Sequence, residues 1–169
     1  MIVTGLDHVS VTVADLDRSL TFYHGLLEIP LLGQGEDEGP PIPGPTGSIG
    51  SRFRYADLEL GGGQILELLQ YLAPKRRPVH PTFYAPGGGH IGVRVGDLDV
   101  ALDRLTRAGV RPLFDAIRLD SPEWWSGARV VYVSDPDGTT LELVERPQTS
   151  SRVLPRSPAV GENRLDRTG

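Results

Sequence analysis

Two histidines and two glutamates stand at matching places in this chain, and together they offer the nitrogen and oxygen donors of a divalent-metal site. His90-Ile91-Gly92-Val93-Arg94-Val95-Gly96-Asp97-Leu98-Asp99 is a second edition of His8-Val9-Ser10-Val11-Thr12-Val13-Ala14-Asp15-Leu16-Asp17. In both, a histidine opens an alternating aliphatic run, and a small residue then leads into Asp-Leu-Asp. A second echo closes each copy: Gly63-Gln64-Ile65-Leu66-Glu67-Leu68-Leu69 and Gly138-Thr139-Thr140-Leu141-Glu142-Leu143-Val144. Internal repetition of this kind marks two copies of one supersecondary unit. A carboxylate inside an apolar strand is costly unless it is paired or metal-bound, yet both copies keep one. His8, Glu67, His90 and Glu142 are therefore the candidate ligands. With no cysteine in the chain, any metal must use nitrogen and oxygen donors.

The elements that must position these residues follow from periodicity. Leu6 to Val13 alternates, placing His8, Ser10 and Thr12 on one face and Val9, Val11 and Val13 on the other. Asp15 is the expected N-cap of a helix whose apolar stripe is Leu16, Leu20, Phe22, Tyr23, Leu26 and Leu27. A short strand is expected around Glu28 to Leu32. Residues 33–50, rich in Gly and Pro, read as a long surface loop, either a lid or simply mobile. Ser51 to Leu60 and Gln64 to Tyr71 form a hairpin about Gly61-Gly62-Gly63. The second copy repeats this order. A strand runs from His90 to Val95, and a helix from Asp97 to Ala108 ends at Gly109. Val110 to Phe114 reads as a short strand, and Ala116 to Gly127 as a loop carrying Trp124 and Trp125. A final hairpin turns at Asp135-Pro136-Asp137-Gly138.

The chain thus divides into unit one (about 4–72), a Pro-rich linker (about 73–88) and unit two (about 89–146). A tail over 147–169 has the composition of an extended or disordered segment. In each unit the neighbours of the candidate ligands are apolar and face the helices. The ligands share the opposite, concave face with Ser10, Thr12, Gly92, Arg94 and Thr140, and Gly92 leaves room beside His90. Arg94 is either a clamp for an anionic or hydroxyl-rich substrate or a solvated strand arginine. Trp124 and Trp125 either cap the cleft or meet a second subunit.

Other chemistries are set aside. A net charge of −5 without a basic block argues against nucleic acid or an anionic membrane as partner. The glycines at 44, 47 and 50 have neither the spacing nor the following helix of a phosphate loop, and no nucleophile elbow is present. The N-terminal stretch has no basic region followed by a long apolar core, so a cytoplasmic location is expected.

These motifs resemble the vicinal oxygen chelate superfamily, which groups glyoxalase I, methylmalonyl-CoA epimerase, extradiol dioxygenases and the fosfomycin- and bleomycin-resistance proteins. The resemblance rests on Leu6 to Val11, Asp15-Leu16-Asp17 with Phe22-Tyr23, Leu66-Glu67-Leu68, His90 to Val93, and Asp135 through Leu143. It implies an α+β fold of two tandem βαβββ modules, 1–146, forming a curved mixed sheet around one divalent ion (Zn, Ni, Co, Mn or Fe), and a homodimer. It further implies an isomerase, epimerase or lyase that chelates two vicinal substrate oxygens and stabilises an enediolate during proton transfer beside a carbonyl. Glu142 is then the first choice of base and Glu67 the second. His8, His90 and Glu142 also match the facial triad of the dioxygenases, but Glu67 adds a fourth ligand. A metabolite- or drug-binding protein without chemistry is the remaining alternative. Glutathione-using members carry Arg four residues after the first histidine and Asn four after the first glutamate; here Thr12 and Tyr71 stand there. Thr12, Tyr71, Arg94 and Trp125 are the expected substrate contacts.

Overall fold

The computed structural model describes residues 2–44, 47–74 and 82–147. Residues 75–81 of the expected linker and the tail beyond residue 147 lie outside the described residues. Each module builds one four-stranded mixed sheet with the same connectivity. Module one contains β1 (His8–Thr12), α1 (Leu16–Leu20), β2 (Leu31–Gly44), β3 (Gly47–Gly61) and β4 (Gln64–Ala73). Module two contains β5 (His90–Val95), α2 (Leu98–Arg107), β6 (Ile117–Leu119), β7 (Ala128–Ser134) and β8 (Thr140–Glu145). The strand orders are β1-β4-β3-β2 and β5-β8-β7-β6, with β1 parallel to β4 and β5 parallel to β8. This is the expected βαβββ pair, α+β in class.

The repeated Asp-Leu-Asp motif does the same work twice. Asp15 and Asp97 cap their helices, each carboxylate accepting a backbone N–H three residues on, from Arg18 and Val100, at 3.0 Å. The second aspartate of each motif pairs with an arginine on the third strand of its module. Arg54 reaches Asp17 at 2.8 Å and Arg129 reaches Asp99 at 2.7 Å. Both helices are thereby fixed over their sheets, and each guanidinium holds its aspartate below the usual carboxylate range.

Apolar faces of both modules meet in one core that includes Val11, Leu16, Leu58, Leu66, Leu68, Val93, Leu98, Leu105, Leu141 and Leu143. Beyond α1 the helix widens into a π-helical turn, Thr21–Leu26. Two consecutive residues, Phe22 and Tyr23, are buried there in edge-to-face contact at 5.0 Å. The Tyr23 hydroxyl donates to Asp135 of module two at 2.9 Å. Asp135 also accepts from the backbone N–H groups of Asp137 and Thr139, so its buried charge is well satisfied. The neighbouring Asp137 accepts from Arg18 and from the Ala14 N–H. Arg104 on α2 returns the tie through Glu28 and the Gly25 carbonyl. The turn that the sequence marks as Asp-Pro-Asp-Gly is thus also the latch between modules.

Three expectations need correction. Residues 33–44 and 47–50 are not a loop: β2 and β3, 14 and 15 residues long, pair as an extended antiparallel ribbon. Two of its glycines are sites of close approach. A Cβ at Gly35 would lie 3.0 Å from the Tyr55 ring, and one at Gly39 would lie 2.6 Å from Ser51 Oγ. Pro40 and Pro41 fall at a register shift on the outermost strand, where a missing N–H breaks no ladder. The helix expected through Leu27 is regular only to Leu20, and the following strand begins at Leu31 rather than Glu28. In module two, Val110 to Phe114 makes only a single bridge, Pro112 to Val133. The edge strand is β6, inside the segment read as a loop, because proline interrupts the earlier stretch and Ile117–Leu119 is free to pair with β7. Among the described residues no helix is long and apolar enough to cross a membrane.

Candidate metal centre

The parallel pairings place the candidate ligands in the same register twice. Ser10, two residues after His8, lies opposite Glu67; Gly92, two residues after His90, lies opposite Glu142. Buried Leu66, Leu68, Leu141 and Leu143 flank the glutamates and point into the core, so alternation turns the carboxylates to the other face. That much agrees with the sequence.

In module two the pair is close. His90 Nε2 stands 3.6 Å from Glu142 Oε2, and the two side chains are 36% and 12% exposed. A Cβ at Gly92 would lie 3.4 Å from that same carboxylate oxygen, so the glycine leaves the space the glutamate uses. Directly across the β7–β8 ladder from Glu142 is Tyr132. Burial, the Glu142 charge and a hydrogen bond to that carboxylate all push the Tyr132 phenol up. The Tyr132 ring also lies 5.0 Å from the His90 imidazole, tilted by 33°. Phe83 and Phe114 close on it from other sides at 5.2 and 5.1 Å.

In module one the neighbours differ. His8 Nδ1 meets Asp7 Oδ1 at 2.8 Å. That hydrogen bond chiefly raises the imidazole pKa, helped by the charges of Glu67 and Asp57 and opposed by desolvation. The residue across the β3–β4 ladder from Glu67 is Asp57, a second carboxylate where module two has a phenol. Burial and the Glu67 charge raise the Asp57 carboxyl, and His8 draws it back.

Asp57 and Tyr132 were not singled out in the sequence. The signal that finds them is register: counting back through each hairpin from its glutamate reaches both.

The module-two pair comes together, Glu67 bears on His8 through its charge, and the two pairs do not meet within one chain. The charges bearing on His8 all belong to module one. Among the described residues no three His, Asp or Glu groups converge closely enough to hold a cation. Both histidine strands, β1 and β5, are the outer strands of their sheets.

A cleft of about 1100 Å³ runs along the β5 edge and is lined by His90, Glu142, Arg94 and Trp125, with Leu6 and Glu59 among the module-one residues. Arg94 has no ion-pair partner among the described residues, and the Arg146 guanidinium covers the Trp125 ring at 4.2 Å. The side chain of Trp124 lies outside the described set. Thr12 and Tyr71 do not line this cleft. Thr12 ends β1 opposite Leu69, and the Tyr71 ring packs on Phe53 at 5.8 Å. His24, without a counterpart in the repeat, bonds through Nδ1 to the Ile29 carbonyl.

Residues 5–143 match the family model described as the Glyoxalase/Bleomycin resistance protein/Dioxygenase superfamily. Among curated relatives, a 2-epi-5-epi-valiolone epimerase from Actinomyces sp is 34% identical over 145 residues, covering 83% of this chain and 78% of that protein. A lactoylglutathione lyase from Haemophilus influenzae is 27% identical over 148 residues, covering 85% of this chain and 94% of the relative. Among solved structures, a glyoxalase family protein from Bacillus cereus superposes with a TM-score of 0.68 at 24% identity, covering 86% of this chain and 97% of that one.

Proposed function

The chain belongs to the Glyoxalase/Bleomycin resistance protein/Dioxygenase superfamily, and from that premise we propose that it is a divalent-metal-dependent isomerase or epimerase. Its substrate carries two vicinal oxygens, one of them a carbonyl, and the reaction moves a proton on the adjacent carbon. The observation that carries the reading is the repeated register: a His and a Glu on the face turned away from the core in each sheet, placed by the same β-strand pairing. Two imidazoles and two carboxylates suit a divalent ion such as Zn, Ni, Co, Mn or Fe, and Gly92 adds no side chain beside the Glu142 carboxylate. His8, Glu67, His90 and Glu142 would hold the cation. Because the pairs stand apart in one chain and both histidine strands are sheet edges, β1 of one copy running beside β5 of a second would bring them together. The assembly is therefore a homodimer with shared sites.

A divalent cation held there supplies Lewis acidity toward the two substrate oxygens and offsets the negative charge that develops as the proton leaves. The chain's own groups do the rest. Glu142 takes the proton on a carboxylate oxygen, and Glu67, from the other module, is the second carboxylate able to exchange one. Arg94, facing the cleft, orients the substrate through its oxygens. Of the two activities named among the relatives, the epimerase fits better, since Thr12 and Tyr71 replace the Arg and Asn that glutathione-using members carry.

The test is metal analysis of purified protein joined to NMR of deuterium uptake into small hydroxyketones, without oxygen. Stoichiometric metal with exchange lost in Glu142→Gln supports the proposal. Metal-free protein, or turnover only of a catechol with iron and oxygen, overturns it.

A further inference from the structure

At equivalent ladder positions the two modules place different residues beside their glutamates, and only one of those residues touches both members of its pair. Tyr132 faces Glu142 across the ladder and lays its ring against His90. It is itself held on two other sides by Phe83 and Phe114. Phe83 comes from the chain just ahead of β5, and Leu113, next to Phe114, donates its N–H to the Tyr132 carbonyl at 2.8 Å. Backbone and side chain of Tyr132 are thus fixed from both ends. Asp57 shares the ladder position, across from Glu67, but it bears on Glu67 and His8 only through charge and has no ring to set against the histidine.

We infer that Tyr132 is a positioning residue that sets His90 and Glu142 in ligand geometry before any cation arrives, making module two the preformed half of the site. This rests on the metal-site reading above. A phenol bonded to a ligand carboxylate restricts how that carboxylate can turn, and a ring tilted against the imidazole at 5.0 Å limits rotation about its side-chain bonds. Neighbours that orient ligands in this way typically change metal affinity by about 10–100-fold when removed. Module one, with a second carboxylate at the same place and its histidine held only by the exposed neighbour Asp7, completes the set.

The experiment titrates the full-length, metal-free protein with Co(II), reading visible absorption and affinity, for wild type, Tyr132→Phe, Phe83→Leu and Asp57→Asn. Tyr132→Phe keeps the ring and removes only the hydroxyl. It is expected to weaken Co(II) binding by about tenfold or more and to shift the absorption bands, with the metal-free melting temperature little changed. Phe83→Leu, which touches no ligand, is expected to weaken binding less, and Asp57→Asn least. Wild-type affinity and spectrum in Tyr132→Phe would overturn the inference alone. If Tyr132→Phe does not fold, Phe83→Leu decides, and an unchanged affinity there overturns it. Wild type that takes up no Co(II) would remove the metal-site reading and this inference together.

Discussion

The two modules share a backbone plan and differ in what surrounds the plan's histidine and glutamate. In module two, His90 and Glu142 stand within 3.6 Å, a glycine clears space for the carboxylate, and a tyrosine braces both. In module one, His8 is half exposed, its nearest polar contact is its own neighbour Asp7, and Ser10 and Asp57 replace the glycine and the tyrosine. The difference teaches that strand pairing alone fixes where a ligand sits, whereas the strand beyond it fixes how the ligand is held. The outer hairpins diverge as well. Module one carries the long β2–β3 ribbon, while module two ends in a three-residue edge strand.

The largest expected effect tests the ligands themselves. Glu142→Gln should lower proton exchange by about 10²–10⁴-fold, the range for losing a positioned acid–base group, measured by NMR on metal-loaded protein. Gly92→Ala sharpens the contrast between modules. Its new Cβ comes within 3.4 Å of a Glu142 carboxylate oxygen, so metal affinity should fall by a few-fold, about tenfold at most, while Ser10→Ala at the equivalent place should leave calorimetric affinity nearly unchanged. Equal effects at both positions would mean the two halves are held alike.

The latch gives a smaller effect of another kind. Tyr23→Phe takes one donor from the buried Asp135 and should destabilise the fold by about 1–3 kcal/mol in denaturant unfolding, with metal affinity spared. The smallest effect is a pH shift. Asp7 raises the His8 pKa, so the folded chain holds that proton more tightly than the unfolded one. The stabilisation is present at acid pH and fades as pH rises through the His8 folded pKa. Asp7→Asn should lower the His8 titration midpoint seen by NMR.

Much of this was legible in the sequence because duplication shows the same local choices twice. Asp15 and Asp97 cap helices as expected, and alternation assigned the faces of β1, β4, β5 and β8 correctly. What was missed depends on partners distant in sequence. Gly35 and Gly39 read as breakers, yet each is a place where a residue of β3 lies across the backbone. Pro112 sits in a stretch of strand-like composition but cannot extend a ladder, so the edge strand forms later, at Ile117. Asp57 and Tyr132 become visible only once the hairpin register is known, because neither belongs to a repeated motif.

The most direct measurement is X-ray absorption at the metal edge of loaded protein, counting imidazoles per ion in wild type, His8→Ala and His90→Ala. Two imidazoles in wild type and one in either variant is the expected result, with metal–nitrogen distances of about 2.0–2.1 Å if the ion is zinc. One imidazole in wild type, unchanged by His8→Ala, would contradict a single cation shared by both modules.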